Sequence, residues 1–527
     1  MAQKRKKPSI SVSEQKPQFS QIALTSTLSI IIVAVSMISA APALATETTI
    51  FSQNDPAIDF DAVQNAVDSY DIVNLQGTFD FTNMTVANGP LMITRDVIIR
   101  GEEPTGSYAP DLDSWVDERE WPTKIVVYNT YSGFTMKIDN PGGTVELVNL
   151  SIESSSEYVI VIGDGPWPSA PRGACKDLMI KNCKIVGTHG RADCVATWGG
   201  LTGIFNLEGN HIIGYWCVSD GAFWSGFPSG CRWEVHSNAI VATQTCMDLT
   251  SSEGIRIENN HCEGPVILYS PSTRGEIILR DNYMIQSGHN IYQGNNAFGI
   301  AVSHEEGFKG GEISGNSIEM NPTENIQLTP SSAISLATYE VLEGAYGLLV
   351  QDNIISGKAD FGIVLDNGAR DNIIRRNNLV NFTAHQFGPW GAAQVLLDQS
   401  RNNIFTRNMI GALDPEAFGG IVCRGTDNDI IRNDFTGSNI AGLTSSDQSC
   451  VILGTASKRN LVFESDGLLP GMVDATEQVL DLPREPTPRG DGGTTSNIVV
   501  GHSEDVLAED INPGVGQRLK DALAILD

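Results

Sequence analysis

A short repeated pattern limits the folds open to this chain more than any other feature of its sequence. The unit is an apolar residue, two variable residues and an asparagine, and it occurs at residues 207–210, 235–238, 257–260, 279–282, 313–316, 350–353, 374–377, 405–408 and 430–433. Neighbouring asparagines lie 22 to 37 positions apart, and Asn149 and Asn182 are predicted to hold the same position in two earlier repeats. A period of this length is typical of one solenoid coil with its insertions.

Each unit is predicted to be a short strand that ends in a tight bend. No single coil can bury its own apolar side, so successive coils stack and form a continuous core. Asparagine tolerates left-handed backbone angles at the bend, and stacked amides can hydrogen-bond along the axis, so these asparagines are assigned a structural role. The hexapeptide period of a left-handed β-helix does not occur, and a propeller needs four strands per repeat. The sequence therefore predicts an all-β fold, a right-handed parallel β-helix solenoid.

The repeat resembles that of the pectate-lyase-like β-helix superfamily, over roughly residues 55–465. The resemblance implies the fold but no single activity, because the superfamily includes lyases, hydrolases, epimerases, adhesins and non-catalytic surface proteins. The motif sets of the polygalacturonases are missing, and so is the Trp-Ile-Asp-His signature of the pectate lyases.

The first 45 residues have the features of an export signal. A basic cluster at residues 4–7 and an apolar run at 28–38 precede Ala43 and Ala45, which predicts cleavage before Thr46. The expected location is secreted or periplasmic, including the cell surface, with no stable membrane insertion after cleavage. A retained membrane anchor is the alternative.

Residues 46–465 are expected to form the β-helix, and residues 466–527 a tail with a linker and a short terminal helix. The solenoid is predicted to open with a helix cap that Asp59 starts as N-cap and in which Phe60, Val63 and Val67 share one face. In the tail, Leu519 and Leu523 lie on one face of the terminal helix.

The net charge restricts the partners of the protein. The chain has 34 basic and 63 acidic residues, and residues 1–45 hold five of the basic and one of the acidic ones, so the mature chain has 29 and 62 and a formal charge of −33. Such a chain is not suited to nucleic acid, whose phosphates need a basic surface. It would also repel an acidic substrate unless Ca²⁺ bridged the two.

The cysteines are predicted to be structural. Seven of the nine fall between residues 175 and 262, with irregular spacings and no CxxC pair. This favours small buried side chains together with one or two disulfides over a zinc site.

Aligning the strand before each bend predicts two outward-facing columns. The first reads Phe223, Asp248, Ile267, Ala301, Ser335, Val364, Leu396, Val422 and Ile452. Its last four members, Val364, Leu396, Val422 and Ile452, form an apolar ridge that is expected to be covered by the C-terminal tail or by a second copy in a homo-oligomer. In the other column, Asp366 and Asp398 lie on adjacent coils with Arg424 on the next, a candidate Ca²⁺ site or an ion-paired acid cluster.

Residues 187–275 combine aromatic and charged side chains suited to sugars, because flat rings stack on the C–H faces of sugars. The substrate-binding candidates are His189, Trp198, Trp224, Tyr269 and Arg274. The catalytic candidates are Arg191, Asp193 and Asp248. A lyase would use a basic side chain such as Arg191 or Arg274. A hydrolase would use two carboxyls, for which Asp193 and Asp248 are the candidates.

Two functions stay open at this point. One is binding, and cleavage by lyase or hydrolase chemistry, of extracellular polysaccharide along the outer groove near residues 187–305. The other is a non-catalytic cell-surface, matrix or adhesion role in which the β-helix is a rigid scaffold.

Overall fold

The computed structural model describes residues 45–82, 89–110, 115–128, 133–163, 174–197, 201–220, 230–251, 253–268, 275–286, 298–303, 308–321, 331–337, 344–387, 391–413, 419–435, 449–453, 460–463, 473–474 and 498–500. Residues from Glu47 onward belong to one compact unit. The predicted signal segment, the terminal helix and the linker lie outside the described residues. No helix in the described ranges has the length and apolar character needed to cross a membrane.

The fold is a right-handed parallel β-helix, as the repeat predicted. One sheet has 16 strands, each paired in parallel with the next coil. They are Glu47–Phe51, Ile72–Gln76, Val97–Arg100, Asn140–Val148, Cys175–Lys181, Ile204–Glu208, Arg232–His236, Gly254–Glu258, Glu276–Arg280, Gly311–Ser314, Leu348–Gln351, Ile373–Arg375, Ile404–Thr406, Asp429–Ile431, Leu461–Phe463 and Ile498–Val500.

A second sheet of 24 strands covers the remaining sides of the solenoid. Its strands are Thr78–Asp80, Leu91–Ile93, Lys124–Val127, Phe134–Ile138, Ser151–Ser154, Tyr158–Ile162, Lys184–Gly187, Asp193–Thr197, His211–Asp220, Ala239–Asp248, His261–Glu263, Val266–Leu268, Tyr283–Gln286, Phe298–Val302, Ser317–Met320, Ser332–Ser335, Ile354–Ala359, Phe361–Leu365, Phe382–Ala384, Ala393–Leu397, Ala412–Leu413, Gly419–Cys423, Ser449–Leu453 and Val473–Asp474. Inward residues from all sides meet in one continuous core.

The asparagines of the repeat form a buried hydrogen-bonded ladder. At each step the backbone N–H and the Nδ2 of one asparagine donate to the Oδ1 of the next, as from Asn282 to Asn316 at 3.1 and 2.9 Å. Nδ2 also donates to a carbonyl of the preceding coil, for example from Asn316 to Leu279. The ladder runs through Asn210, Asn238, Asn260, Asn282, Asn316, Asn353, Asn377, Asn408 and Asn433.

Two details of the predicted ladder are wrong. The left-handed residue is the one before each ladder asparagine, such as Ser237 with φ of 54°. Asn149 and Asn182 take this left-handed position. In the coil of Asn182 the ladder position is taken by Cys183, whose N–H donates to Asn210 Oδ1. Asparagine serves both positions because it tolerates positive φ and also carries an amide.

A second ladder, which the repeat did not predict, runs beside the first in the later coils. Its members are Asn372, Asn403, Asn428 and Asn460, each of which accepts the backbone N–H of the preceding coil on its Oδ1.

The helix Pro56–Ser69 is present, and Phe60, Val63 and Val67 are buried in the main core. The assignment of Asp59 as N-cap is wrong, because the helix begins at Pro56. Asp59 is instead buried and accepts hydrogen bonds from Ser52 Oγ and from the backbone N–H of Gln53. That the helix Pro56–Ser69 covers the open end of the solenoid stays a prediction.

A two-stranded antiparallel hairpin, Tyr108–Pro110 paired with Trp115–Asp117, lies against the turns of three later coils. We call residues 105–121 the clamp hairpin. Three of its side chains donate to turn carbonyls: Tyr108 to Ser237, Arg119 to Gly209 and Trp121 to Asn182.

A buried ion pair anchors the clamp hairpin. Arg119 contacts both carboxyl oxygens of Asp117, at 2.8 and 3.0 Å, and its guanidinium lies 3.7 Å from the ring centroid of Tyr108. His211 Nδ1 lies 3.0 Å from the same carboxyl, and the side chain of Asp117 is fully buried. The clamp hairpin, an insertion early in the chain, is thus hydrogen-bonded to the coils that contain Asn182, Gly209 and Ser237.

The expected disulfides do not occur among the eight cysteines whose side chains the structure describes, all of which are buried thiols. Cys194, Cys217 and Cys246 lie on successive coils of the second sheet. Burial raises the pKa of Cys217 and Cys246, with further contributions from the neighbouring thiols Cys194 and Cys262. The prediction that these cysteines fill space in the core is confirmed.

Candidate active site

One outer face of the second sheet carries two adjacent columns of side chains, which we call the lateral face. In the first column, Tyr158, Asp193, Trp216 and Thr245 are in register on four successive coils. In the second, Ala196, Ser219, Asp248 and Ile267 are in register in the same way. The second column continues through Ala301, Ser335, Val364, Leu396, Val422 and Ile452, as the sequence predicted.

Asp193 is the most enclosed carboxyl of this face. It begins the strand Asp193–Thr197, directly after the turn in which Ala192 N–H donates to His189 O, and only 5% of it is exposed. Its Oδ2 accepts a hydrogen bond of 3.2 Å from Ser219 Oγ on the next coil. Its Oδ1 is buried and has no hydrogen-bond partner in the described part of the chain.

Asp248 is the register neighbour of Ser219 on the following coil. The residue is partly exposed, but its Oδ1 is buried without a hydrogen-bond partner among the described residues. Burial, and then the charge of Asp220, raises the pKa of Asp248 to about 8. Asp220 itself points inward and accepts a hydrogen bond of 2.6 Å from Thr250 Oγ1.

The pKa of Asp193 is also well above its ordinary value. Burial is the main cause, and the charges of Asp248 and Glu157 act in the same direction, whereas the hydrogen bond from Ser219 favours the ionised form. Asp193 and Asp248, which we call the acid pair, are therefore close enough for the charge of one to oppose ionisation of the other. Two such carboxyls keep at least one proton between them at neutral pH.

Aromatic side chains lie on both sides of Asp193. Tyr158 and Trp216 are its register neighbours on the preceding and following coils, and both are partly exposed. Burial, followed by the charges of Asp193 and Glu157, raises the pKa of Tyr158 to about 12, so its hydroxyl stays protonated. The register therefore places an aromatic residue on the coil before and on the coil after the enclosed carboxyl of Asp193.

Of the other predicted site residues, two lie on the turn before Asp193 and four fall outside the part of the chain that the structure describes. His189 and Arg191 are exposed on the turn before Asp193, where the N–H of Arg191 donates to His189 Nδ1. Trp198, Trp224, Tyr269 and Arg274 lie outside the described residues. Tyr158, Trp216 and Ser219 were not selected from the sequence.

The reason for missing Ser219 is an error of register. The sequence alignment placed Phe223 beside Asp248, whereas the structure places Ser219 there. No asparagine unit marks the end of the strand His211–Asp220, so the alignment had no fixed point. Ser219 is found by following the strand register backwards, from Ile267 to Asp248 and from Asp248 to Ser219.

The predicted acidic cluster of Asp366 and Asp398 contains an ion pair with Arg424. Arg424 Nη1 lies 3.5 Å from Asp398 Oδ2. Burial, together with the charge of Asp398, raises the pKa of Asp366 to about 6, although a hydrogen bond from the N–H of Asn367 opposes this. Within the described ranges no three His, Cys, Asp or Glu residues are arranged to hold a metal ion. A Ca²⁺ ion at Asp366 and Asp398 stays a prediction.

The apolar ridge lies at the far end of the lateral face. Val364 and Val422 are 7% and 3% exposed, and they pack with Phe361, Ala393 and the partly buried Leu396 in a cluster separate from the main core. The prediction that the side chains of this ridge are outside the main core and covered is therefore confirmed for Val364 and Val422. What covers them stays a prediction.

No protein-family model matches the chain, and no curated protein matches it. Among solved structures, a DFA-IIIase from Arthrobacter chlorophenolicus A6 in complex with GF2 is 12% identical, with 80% of this chain and 90% of that chain covered and a TM-score of 0.31. The A-module of a mannuronan C-5 epimerase from Azotobacter vinelandii is 12% identical, with 80% and 96% covered and a TM-score of 0.33. Tailspike protein 3 of bacteriophage CBA120 is 10% identical, with 85% and 59% covered and a TM-score of 0.33. Similarity at this level implies no shared activity.

Proposed function

We propose that the protein is an exported glycoside hydrolase that cleaves polysaccharide at the acid pair. The observation that carries the proposal is a pair of carboxyls, the buried Asp193 and the partly exposed Asp248, next to two partly exposed aromatic rings. Each carboxyl has a buried Oδ1 without a hydrogen-bond partner among the described residues. Burying a carboxyl without a cation disfavours folding at neutral pH. Strongly perturbed carboxyls of this kind are concentrated at catalytic sites.

The two carboxyls have different roles in the proposed reaction. Asp248 keeps its proton to about pH 8 and donates it to the glycosidic oxygen as the bond breaks. Asp193 has a hydrogen-bond donor, Ser219 Oγ, that stabilises its carboxylate. Ionised Asp193 either removes a proton from the attacking water or attacks the anomeric carbon. Ser219 is a positioning residue in this scheme.

Tyr158 and Trp216 hold the sugar next to the carboxyls. They are the register neighbours of Asp193 on the coils before and after it, and sugar C–H groups stack on aromatic rings. The arrangement favours a hydrolase over a lyase, because the two groups with buried oxygens are both acids, whereas a lyase needs a basic group.

The test is incubation of the purified protein with a panel of neutral and uronate-containing polysaccharides, with and without Ca²⁺. Hydrolysis produces reducing ends without new ultraviolet absorbance, whereas a lyase product absorbs. Asp193→Asn and Asp248→Asn are each expected to lower the rate by about 100-fold or more. Asp352→Asn is the matched control, because Asp352 is an exposed partner of Arg376 on a distant coil, and its activity should equal that of the wild type.

Other outcomes would decide against hydrolysis. Ultraviolet-absorbing products would assign lyase chemistry. Full activity in both acid-pair variants would remove the site. If no polymer is cleaved, the non-catalytic scaffold role is favoured. This conclusion also requires that the exported protein begins at Thr46, which shows that the protein reaches the outside of the cell.

A further inference from the structure

The two described columns of the lateral face hold a single cation, and Arg191 is exposed beside them on the turn before Asp193. Between Lys137 and Leu396 the two columns contain Tyr158, Val161, Asp193, Ala196, Trp216, Ser219, Thr245, Asp248, Ile267, Phe298, Ala301, Ser332, Ser335, Phe361, Val364 and Ala393. The one cation of these described columns, Lys137, precedes Ala196 by two coils. Two further acids, Glu157 and Asp220, raise the pKa values of the acid pair.

The protonation that hydrolysis needs makes the pair sensitive to the charge of its ligand. One carboxyl has to donate a proton while the other is ionised. A carboxylate or sulfate on the sugar beside Asp193 adds a negative charge to a group whose ionisation Asp248 and Glu157 already oppose. The pair would then hold two protons and lose its base.

A cationic sugar disturbs the same balance in the other direction. An ammonium group next to Asp248 favours the carboxylate form of the very group that has to donate a proton. With both carboxyls ionised, the leaving oxygen has no acid to protonate it.

The rest of the face fits an uncharged ligand. Tyr158 and Trp216 supply aromatic surfaces, and Ile267, Phe298 and Ala301 form a small apolar cluster on the coils after Asp248. Ser219 is a neutral hydrogen-bonding group between the two acids.

We infer that the substrate is an uncharged polysaccharide, one without uronate, sulfate or amino groups on the sugar bound at the acid pair. The inference rests on the proposed hydrolase function.

The test compares neutral polymers (arabinoxylan, galactomannan, β-glucan, fructan), anionic polymers (polygalacturonate, alginate, carrageenan) and the cationic polymer chitosan, with reducing ends as the readout. A neutral polymer is expected to be cleaved. Its derivative with C6 hydroxyls oxidised to carboxylates keeps the backbone but should have a kcat/KM about tenfold or more lower. KM for the neutral polymer should change by less than about twofold between about 50 and about 500 mM NaCl.

The possible failures are distinguishable. Cleavage of an anionic polymer or of chitosan in preference to the neutral ones, abolished by Asp193→Asn, would overturn the substrate class and leave the hydrolase function standing. Equal kcat/KM for the neutral polymer and its oxidised derivative would also overturn the substrate class. No cleavage of any polymer would overturn the proposed function itself, and this inference with it.

Discussion

The carboxyl of Asp248 lowers the free energy of unfolding at neutral pH, because the folded protein disfavours its ionised form. Its pKa is raised from 3.8 in the unfolded chain to about 8 in the folded protein, chiefly by burial. Between these values the folded state binds more protons than the unfolded state, so the free energy of unfolding falls as pH rises from about 4 to about 8 and is level above that range. Each unit of pKa difference corresponds to about 1.4 kcal/mol.

The variant Asp248→Asn has no ionisable group at this position. It should therefore be more stable than the wild type at pH 8, with a smaller difference at pH 5, as measured by urea unfolding at both values. Asp352→Asn is the control, since the pKa of Asp352 is lowered by its hydrogen bonds with Arg376 and its removal cannot stabilise the protein at pH 8. Parallel stability curves for the wild type and Asp248→Asn would contradict the raised pKa.

The sequence identified both members of the acid pair but not how they interact. Asp193 and Asp248 were selected because a hydrolase needs two carboxyls. Their interaction depends on which residue of the intervening strand His211–Asp220 lies beside Asp248. No asparagine unit follows that strand directly, so the sequence alignment placed Phe223 beside Asp248, where the structure has Ser219. Burial and unpartnered oxygens are properties of three-dimensional packing, so the perturbed pKa values could not have been predicted from residue spacing.

At the level of the element, the asparagine ladder joins the coils. Asn316 is fully buried; it donates to Asn353 and Leu279 and accepts from Asn282. In Asn316→Ala these buried donors and acceptors lose their partners, which should cost about 3 kcal/mol or more. Urea unfolding measures the loss. Asn321→Ala, at an exposed position one turn later, should change the stability by less than about 0.5 kcal/mol. A similar loss in both variants would show that the ladder has no special role.

The first ladder could be predicted because its strand and bend repeat with few insertions. The second ladder was missed because three of its members lack the apolar residue of the repeat: Ser400, Gly425 and Ser457 stand three positions before Asn403, Asn428 and Asn460. Asn182 was placed in the ladder because asparagine suits both the ladder position and the left-handed position before it, which is the one that Asn182 takes beside Cys183.

The clamp hairpin depends on its buried ion pair. Burial alone would raise the pKa of Asp117, but hydrogen bonds from His211 and Arg119 and the charge of Arg119 lower it below the ordinary range. The resulting stabilisation is present above the unfolded pKa of about 3.9 and is lost as pH falls below it.

Replacing one partner of this pair tests the clamp. Arg119→Met leaves Asp117 buried without its cation and should cost about 3–5 kcal/mol at neutral pH. Arg95→Met is the control, because the Arg95–Asp71 pair is about one-third exposed, at 33% and 39%, and should contribute less than about 1 kcal/mol. Urea unfolding followed by tryptophan fluorescence reports both the coils and Trp121. Equal losses in the two variants would mean that the hairpin is held by other contacts.

At the scale of the whole molecule, the lateral face changes character along its length. Asp193 and Asp248 lie towards one end and the apolar ridge towards the other. Val364 and Val422 are buried although they point away from the main core, so the ridge behaves as an internal packing surface. The coils also continue beyond residue 465, because Val473–Asp474 pairs with Val451 and Ile452, and Ile498–Val500 pairs with Leu461–Phe463.

Removal of the tail tests whether its predicted terminal helix covers the ridge. A chain that stops after Pro470 also loses two paired strands, so a chain that stops after Gly501 is the sharper variant because it keeps both. If the helix packs on Val364 and Val422, the Gly501 truncation should lower the urea midpoint and increase binding of an apolar dye. Leu519→Asp, on the apolar face of the predicted helix, should reproduce both effects, and Lys520→Asp should not. If neither property changes after truncation and the protein sediments as an oligomer, a second copy covers the ridge; an unchanged monomer would rule out both covers.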